Sequence, residues 1–355
     1  MSKNTGITLS PYKYLTFSER TNSIFILAFL IPQIIMLLIT KSWFNILLIF
    51  STTVATVSVE LIEKKYKNKT DYDFIISIIQ GIFIGLFLPS SFPFYTAFLT
   101  TFCVYLMSRY FIGDHADIWI NLVALTICIC WILGGTLFPS YQLSGEILIS
   151  KNPALTLINN GTFPAISSDT KITSFFNKTV FSIFGVSIPD GYVSLFWDNH
   201  SSIAAFRFNI LTLVSSIILF SLDVIKILIP GIFLAVYCLL VYFVSPLFYP
   251  YMPSQGDLLL ALCTSGIIFC ALFLLQFSGT TPLTTFGKIV YALIAGIIAF
   301  LIIGAGTSPV GAMFTILIMN MLSPLIEHIE YIFELKRTKS ELIECIDELK
   351  EGTNA

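Results

Sequence analysis

The sequence predicts an all-α polytopic membrane protein with about ten transmembrane helices, because long apolar segments recur along it. Of its 355 residues, 56% are hydrophobic and 11% are charged, whereas soluble domains carry roughly 25% charged residues. The mean hydropathy is +0.87. Most apolar runs have about 20 residues, the length that crosses a bilayer as a helix. These observations together exclude an ordinary soluble domain.

Ten apolar runs have the length of a bilayer-crossing helix. Many are separated only by tight turns, such as the Pro- and Ser-containing turn "LPSSFP". The predicted spans cover residues 22–40, 43–62, 74–91, 94–112, 118–138, 206–223, 226–246, 257–276, 288–305 and 308–326.

The spans fall into two sets of five around one long polar segment. We expect a first membrane repeat at residues 1–138, an extracytoplasmic loop at 139–205, a second membrane repeat at 206–326 and a cytoplasmic amphipathic tail at 327–355. Most of the 19 Lys and Arg residues fall on one side when the N-terminus is cytoplasmic. Because cytoplasmic loops are rich in these residues, we predict that both termini are cytoplasmic. A net charge of −2 gives no electrostatic footprint for nucleic acid.

Two apolar segments resemble each other, "IIQGIFIGLFLPSSFP" at 78–93 and "CTSGIIFCALFLLQFSGTTP" at 263–282. Each places a glycine, Gly81 or Gly266, in an apolar helix that ends in a Ser- and Pro-containing break. They lie five spans apart, and an odd offset reverses direction, which is the pattern of an inverted five-plus-five repeat. Broken helices free backbone groups inside the membrane, so we expect the two breaks to line a central site. Two ordinary turns are the alternative.

Charged residues cluster near the predicted cytoplasmic ends of spans four and five. Arg109, Asp114, His115 and Asp117 lie there, and ionisable residues near membrane depth are functional candidates for a cation or proton path. A solvated loop is the alternative. We expect Glu60, at the end of span two, to extend outward to the membrane surface.

Four stretches resemble one known family in order and spacing. They are "SPYKYLTFSERTNSIFILAFLIPQ", "DYDFIISIIQGIFIGLFLPSSFPFYTAFLTTFCVYLMSRYFIG", "IPDGYVSLFWDNHSSIAAFRFNILTLVSSIILF" and "GKIVYALIAGIIAFLIIGAGTSPVGAMFTILIMNMLSPLIEHIE". The chain resembles the RnfD/NqrB family. Its members are the RnfD subunit of the Rnf ion-translocating oxidoreductase and the NqrB subunit of the sodium-pumping NADH:quinone oxidoreductase.

The resemblance implies a ten-helix inverted-repeat fold in the bacterial cytoplasmic (inner) membrane. It implies flavin-mediated electron transfer coupled to Na⁺ or H⁺ movement, within a multi-subunit oxidoreductase that acts as a translocase. It also implies FMN attached through its phosphate to a threonine, in a Ser-x-Ala-Thr-like motif of the outer loop, with riboflavin as a further candidate cofactor.

The nearest match to that motif in the outer loop is "SSDT", which makes Thr170 the candidate for covalent FMN. Asp169 stands where the family has a small apolar residue, and a carboxylate beside a phosphate costs Coulomb energy. The family's Asn-Pro-Phe-Asn-Pro motif after span four is reduced to a segment that keeps Asn121, and its Gly-Glu-Thr before span six appears as "AFRF".

The stretch "SGTTPL", which begins at Ser278, spells the flavin motif more closely, with Thr281 as its threonine. The predicted topology places it on the cytoplasmic side, opposite the family's attachment loop. We therefore predict that Ser278, Thr280 and Thr281 line the helix break, with a plain turn or a covalent flavin at Thr281 as alternatives.

Two other functions remain open at this point. The same fold suits a solute or ion permease without redox chemistry, or a structural subunit that anchors a complex and holds no cofactor. The sequence shows no nucleotide-binding loop, zinc pattern or catalytic triad, so we predict no catalytic residue and no metal site in this chain.

Overall fold

The computed structural model describes residues 18–67, 74–111, 119–139, 147, 150–248, 257–277, 281–304 and 308–353. The regular structure of these residues is helical, and their only β-type pairing is an isolated antiparallel bridge between Pro89 and Ile203. The predicted all-α class is confirmed.

Among the described residues, the α-helices of the first half are followed by short α-helices in the long loop. The first five are α1 (Glu19–Ile39), α2 (Trp43–Lys67), α3 (Phe74–Phe87), α4 (Phe94–Phe111) and α5 (Leu122–Gly134). The loop helices are α6 (Pro153–Asn159), α7 (Asp169–Thr179) and α8 (Tyr192–Trp197).

Within the described part of the second half, the longer helical elements include one that is interrupted. They are α9 (Asn209–Ser221), α10 (Leu228–Phe243), α11 (Leu258–Thr264), α12 (Thr285–Ile303) and α13 (Gly311–Thr353). After α11 the chain makes a single helical turn, Ile267–Phe269, and a π-helical turn, Cys270–Leu274.

Length and composition identify this chain as a multi-pass membrane protein. Among the described residues, 5 helices are long and apolar enough to cross a membrane, and three further apolar helices are shorter. Large apolar side chains lie on their outer surfaces, such as Phe50 at 67% exposure, Leu301 at 72% and Met321 at 70%. A soluble protein rarely exposes contiguous apolar surface on this scale, so lipid or partner helices cover these faces.

Four of the ten predicted spans form shorter or interrupted helices. α3 has 14 residues, and α5 and α9 have 13 each, so each is about 20 Å long against a hydrocarbon core of about 30 Å. α11 has 7 residues and ends close to a left-handed residue, Gly266. Ten continuous spans are therefore not confirmed, because non-helical backbone interrupts the crossing at these places.

The last predicted span and the described part of the predicted tail form one helix. α13 has 43 residues with Pro324 inside, which corresponds to a length of about 65 Å. No break in the helix separates the end of the predicted span at residue 326 from the segment that follows. The far part of α13 exposes Tyr331, Phe333 and Leu335.

The first half is held together by close contact of α2 with α3 and α4. A Cβ on Gly85 would lie 2.4 Å from Ile49 Cα of α2, and a Cβ on Gly81 would lie 2.5 Å from Thr53 Cα. Small residues let helix backbones approach in this way inside membranes. Thr52 Oγ1 donates across the contact to the Gly81 carbonyl at 2.8 Å.

The same backbone motif ends both α1 and α9. Lys41 after α1 and Asp223 after α9 both have a φ of 54°, and the next amide donates to the carbonyl five residues earlier at 3.0 Å in both cases. This is the Schellman closure, here formed without glycine. It recurs at spans one and six, as a repeat would require, while ten-span symmetry stays a prediction.

We expect Gly85→Ala to destabilise the protein, because the new Cβ has no room against the α2 backbone. Overpacking of this kind costs typically about 1–3 kcal/mol. Thermal unfolding of the purified protein in detergent measures it. Gly231→Ala is the matched control, since the nearest side-chain atom there lies 4.0 Å away; equal melting temperatures for the two variants would contradict the packing.

Candidate functional site

The two helix breaks meet a common segment of the chain. Residues 198–209, which precede and open α9, lie against the end of α3 and the end of α11; we call this contact the break junction. On the α3 side, the Ser90 amide donates to the Ser202 carbonyl at 2.9 Å, next to the bridge between Pro89 and Ile203. The non-helical backbone after α3 is thus satisfied by another part of the chain, as it must be inside a membrane.

On the α11 side, two asparagines complete the break. Gly266 has a φ of 65°, which interrupts the helix and leaves the Cys263 carbonyl without its usual intrahelical donor. Asn199 Nδ2 and Asn209 Nδ2 both donate to this carbonyl, at 2.9 and 3.0 Å. Phe206 fills the space beside Gly266, since a Cβ there would lie 2.1 Å from its ring.

Asn121, just before α5, donates a hydrogen bond to a backbone carbonyl at the other end of the interrupted helix. Its Nδ2 donates to the Leu274 carbonyl at 3.2 Å, while its Oδ1 accepts the amides of Val123 and Ala124 as the N-cap of α5. One side chain therefore starts a helix in the first half and closes the π-turn in the second. This explains physically why an asparagine fits this position.

Aromatic rings fill the core between the two breaks. They pack mainly edge to face, with centroid separations between 4.9 and 6.1 Å. Such pairs are preferred because of the ring quadrupole. The cluster consists of Phe83 and Phe87 of α3 together with Phe206, Phe269, Phe273 and Phe277.

The predicted equivalence of Gly81 and Gly266 is not supported by their positions. Gly81 lies inside an intact helix, where it permits close contact with α2, whereas Gly266 interrupts a helix in the left-handed region. The sequence similarity reflects two apolar segments with breaks nearby, but the two glycines perform different tasks.

A buried ion pair fixes the segment of the break junction that precedes α9. Arg207 Nε and Nη2 donate to the two carboxylate oxygens of Asp198 at 2.9 and 2.6 Å, and Nη1 donates to Ser42 Oγ at 2.6 Å. The His200 amide donates to Asp198 at 2.9 Å. A bidentate pair sets geometry as well as charge, so it ties the turn after α1 to the segment that opens α9.

Thr170 lies in the first turn of α7 and is exposed, whereas Asp169 is 4% exposed. The Asp169 carboxylate accepts bonds from the Gly191 amide at 2.8 Å, from the amide and hydroxyl of Ser194, and from Thr173 Oγ1. Burial raises the pKa of Asp169, but these hydrogen bonds outweigh it and hold the pKa below its ordinary value. Asp169 therefore fastens α7 to α8.

The candidate stretch that begins at Ser278 lies only partly within the described residues. Ser278 and Thr280 lie outside the described residues, and Thr281 is half-buried. The residues that follow start a helix: Thr284 Oγ1 accepts the Gly287 amide at 2.9 Å as the N-cap of α12, and it donates to the Glu330 carboxylate of α13.

A serine in the break after α3 forms a hydrogen bond to another part of the first half. Ser91 Oγ donates to the Leu137 carbonyl at 2.7 Å. This bond connects the break to the end of the first half, just beyond α5.

The predicted outward position of Glu60 is wrong. Glu60 is 7% exposed and lies between α2, α3 and α4, where Arg109 Nη2 and Ser77 Oγ both donate to its Oε2 at 3.1 Å. Arg109 Nε also lies 3.5 Å from Glu63 Oε2. A buried charge needs such partners. The cluster of Glu60, Glu63 and Arg109 is called the α2–α4 ionic cluster below.

The other members of the predicted charged cluster, Asp114, His115 and Asp117, lie outside the described residues. Arg109 is therefore the only predicted member that can be placed, and it pairs inside the bundle. Sequence reasoning gave no role to Glu63, and it gave no structural role to residues 198–209, which it noted only within a stretch that carries the family resemblance. A usable signal was the polar run "DNHSS" next to a predicted span, since polar groups there must find partners.

Comparison with known proteins relates this chain to one family. The model of the NQR2, RnfD, RnfE family matches residues 7–332. A relative from Acetobacterium woodii, the D subunit of its Na(+)-translocating ferredoxin:NAD(+) oxidoreductase complex, is 32% identical over 87 residues. That match covers 24% of this chain and 27% of the relative, so it spans about a quarter of either protein.

We expect Arg207→Ala to destabilise the protein by about 3–5 kcal/mol, because it leaves the buried Asp198 carboxylate without its cation. Thermal unfolding in detergent measures the loss, with Lys178→Ala, an exposed cation of α7, as the control. The double variant Asp198→Ala/Arg207→Ala should lose less than the sum of the two single variants. Strictly additive losses would show that the two side chains do not interact.

Proposed function

Because the chain belongs to the NQR2, RnfD, RnfE family, we propose that it is the membrane subunit of an Rnf-type electron transport complex. In this proposal, flavin-mediated electron transfer through the complex is coupled to Na⁺ or H⁺ translocation. The observation that carries it is the family match over residues 7–332, which includes both helix breaks and the outer loop. Chemistry at a nicotinamide or a ferredoxin belongs to partner subunits.

The α2–α4 ionic cluster supports the ion-translocating half of the proposal. Ionisable residues inside a helical membrane bundle are rare, and they are commonly parts of ion or proton paths. Glu60 has a carboxylate that two donors hold at 3.1 Å, so its protonation or its pairing with Arg109 can respond to a passing cation. We assign Glu60 as the group that exchanges the ion.

The outer loop supports the flavin half. Thr170 exposes its hydroxyl at the N-terminal turn of α7, where helix amides favour an anion such as a phosphate, and Lys171 is exposed beside it. Asp169 keeps its negative charge, but its carboxylate is bound to the Gly191 and Ser194 amides at α8, so the Thr170 hydroxyl stays accessible beside it. These residues fit FMN bound through its phosphate, and FMN would supply one-electron transfer at the outer face.

Apolar surface supports a multi-subunit complex. Tyr110 and Phe111 at the end of α4 are 83% and 76% exposed, and Leu247 and Phe248 after α10 are 80% and 74% exposed. Lipid and neighbouring membrane subunits would cover such patches. We propose the bacterial cytoplasmic membrane as the location, with both termini cytoplasmic and residues 139–205 outside.

A permease without redox chemistry is the alternative, because a helix-break junction is also the usual architecture of a transporter site. Solute flux in liposomes that hold this chain alone would support that alternative. Redox-driven ion uptake that requires the assembled complex supports the Rnf-type function.

We expect this chain, taken from its native complex and run on a denaturing gel, to carry a fluorescent flavin band that Thr170→Val removes. The covalent bond survives denaturation, whereas the variant has no hydroxyl to esterify. Thr179→Val, an exposed threonine in the last turn of the same helix, should keep the band. A dark band from intact wild-type chain would exclude covalent FMN on this chain. A band that Thr170→Val retains but Thr281→Val loses would place the attachment at Thr281.

We expect Glu60→Gln to reduce redox-driven ion uptake severalfold in proteoliposomes that contain the purified complex. Electron transfer should continue, but it should no longer be coupled to ion uptake. The amide keeps the shape of the side chain but can neither ionise nor pair with Arg109 as a charge. Glu334→Gln, an exposed carboxylate of α13, is the control. Uptake equal to wild type in Glu60→Gln would remove the α2–α4 ionic cluster from the ion path.

A further inference from the structure

Three hydroxyls on α4 are buried without a hydrogen-bond partner in the described part of the protein. Thr101, Tyr105 and Ser108 are 0%, 1% and 7% exposed, and the oxygen of each is inaccessible and unpartnered. Their spacing of four and three residues places them on one face of the helix. At 1.5 Å per residue, the face extends over about 10 Å. We call it the α4 hydroxyl column.

Other buried hydroxyls of the same bundle behave differently. Thr100, the neighbour of Thr101, donates to the Thr96 carbonyl at 2.8 Å. Thr52 and Thr126 also donate to backbone carbonyls, at 2.9 and 2.7 Å. A helical threonine or serine can return to its own backbone in this way. The hydroxyls of Thr101 and Ser108 do not bond to their own helix backbone. They remain available to a partner that is not part of the chain.

α3 also carries an unpartnered buried polar atom. Gln80 is 3% exposed, and its Oε1 is inaccessible and unpartnered. α3 and α4 both pack on α2 and α5. Buried polar atoms that lack protein partners are normally satisfied by ordered water, which needs two to four polar groups around it.

The column ends at the α2–α4 ionic cluster. Ser108 is followed by Arg109, whose Nη2 lies 3.1 Å from Glu60 Oε2. The hydroxyls therefore extend from the charged end of the bundle toward its interior, and the sequence between Thr101 and Arg109 holds no other charge.

We propose that the α4 hydroxyl column binds a chain of ordered water molecules that gives Glu60 access to protons. Each water or hydroxyl accepts a proton on a lone pair and releases its own to the next oxygen, so bonds and charge balance without any redox step. The proposal that water binds here depends only on the buried, unpartnered oxygens. Its role as a proton path rests on the proposed function, in which Glu60 exchanges the ion.

Water suits this column better than a desolvated metal cation. A hydroxyl can both donate and accept, which a proton chain requires, whereas a cation is best held by carboxylate and carbonyl oxygens. The fixed guanidinium of Arg109 at the end of the column also repels a cation.

Radiolytic labelling of the purified full-length protein in lipid nanodiscs tests the water directly. X-ray pulses generate hydroxyl radicals from ordered water in place, and the radicals modify the nearest side chain. Tyr105 should be modified severalfold more than Tyr237, which is equally buried but whose hydroxyl donates to the Gly304 carbonyl at 3.0 Å. Equal, low modification of the two tyrosines would overturn the proposal.

Tyr105→Phe tests the proton path in the assembled complex. We expect redox-driven proton uptake to fall severalfold with an unchanged melting temperature, because no protein partner loses a bond, while Thr100→Val keeps the wild-type rate. Normal proton uptake in Tyr105→Phe, or a loss confined to Na⁺ uptake, would overturn the proton path. If the wild-type complex moves no ion at all, the proposed function fails, and the Tyr105 labelling still decides whether the column holds water.

Discussion

The fold depends on one constraint, that every backbone group freed inside a membrane must find a partner. Two helices are interrupted here, after α3 and after α11, and each interruption frees carbonyls or amides. Asn199, Asn209 and Asn121 donate to the carbonyls of the second break, and the Ser202 carbonyl accepts the Ser90 amide of the first. The segment 198–209 thus belongs to the membrane core as much as to the loop before it.

This constraint links the outer loop to the bundle. Arg207 holds Asp198 and Ser42, so the segment that completes both breaks is itself fixed to the turn after α1. Further out, Asp169 fastens α7 to α8, and the Tyr192 hydroxyl of α8 donates to Asp257, the N-cap of α11. The loop helices are therefore linked to the break junction through hydrogen bonds between named groups.

Hydropathy was sufficient to predict the all-α class and the helices α1, α2, α4 and α12 within a few residues, because lipid-facing helices need long apolar runs. It could not predict that Gly266 would interrupt a helix while Gly81 would not, since both lie in similar apolar sequence and only tertiary contacts separate them. It also misplaced Glu60, because a glutamate at a span end has the same sequence environment whether it reaches water or an arginine on another helix. Arg207 was visible only as a departure from a family motif, although its bonds to Asp198 account for it.

The length of α13 has a mechanical consequence. A single helix of 43 residues extends over about 65 Å, more than twice the thickness of the hydrocarbon core. A tilt of about 5° at its membrane end would displace the far end by about 5–6 Å on the same geometry. The start of α12 is joined to this helix through Thr284 and Glu330, close to where the helix leaves the bundle. Small rearrangements among the membrane helices would therefore be amplified at the far end of α13.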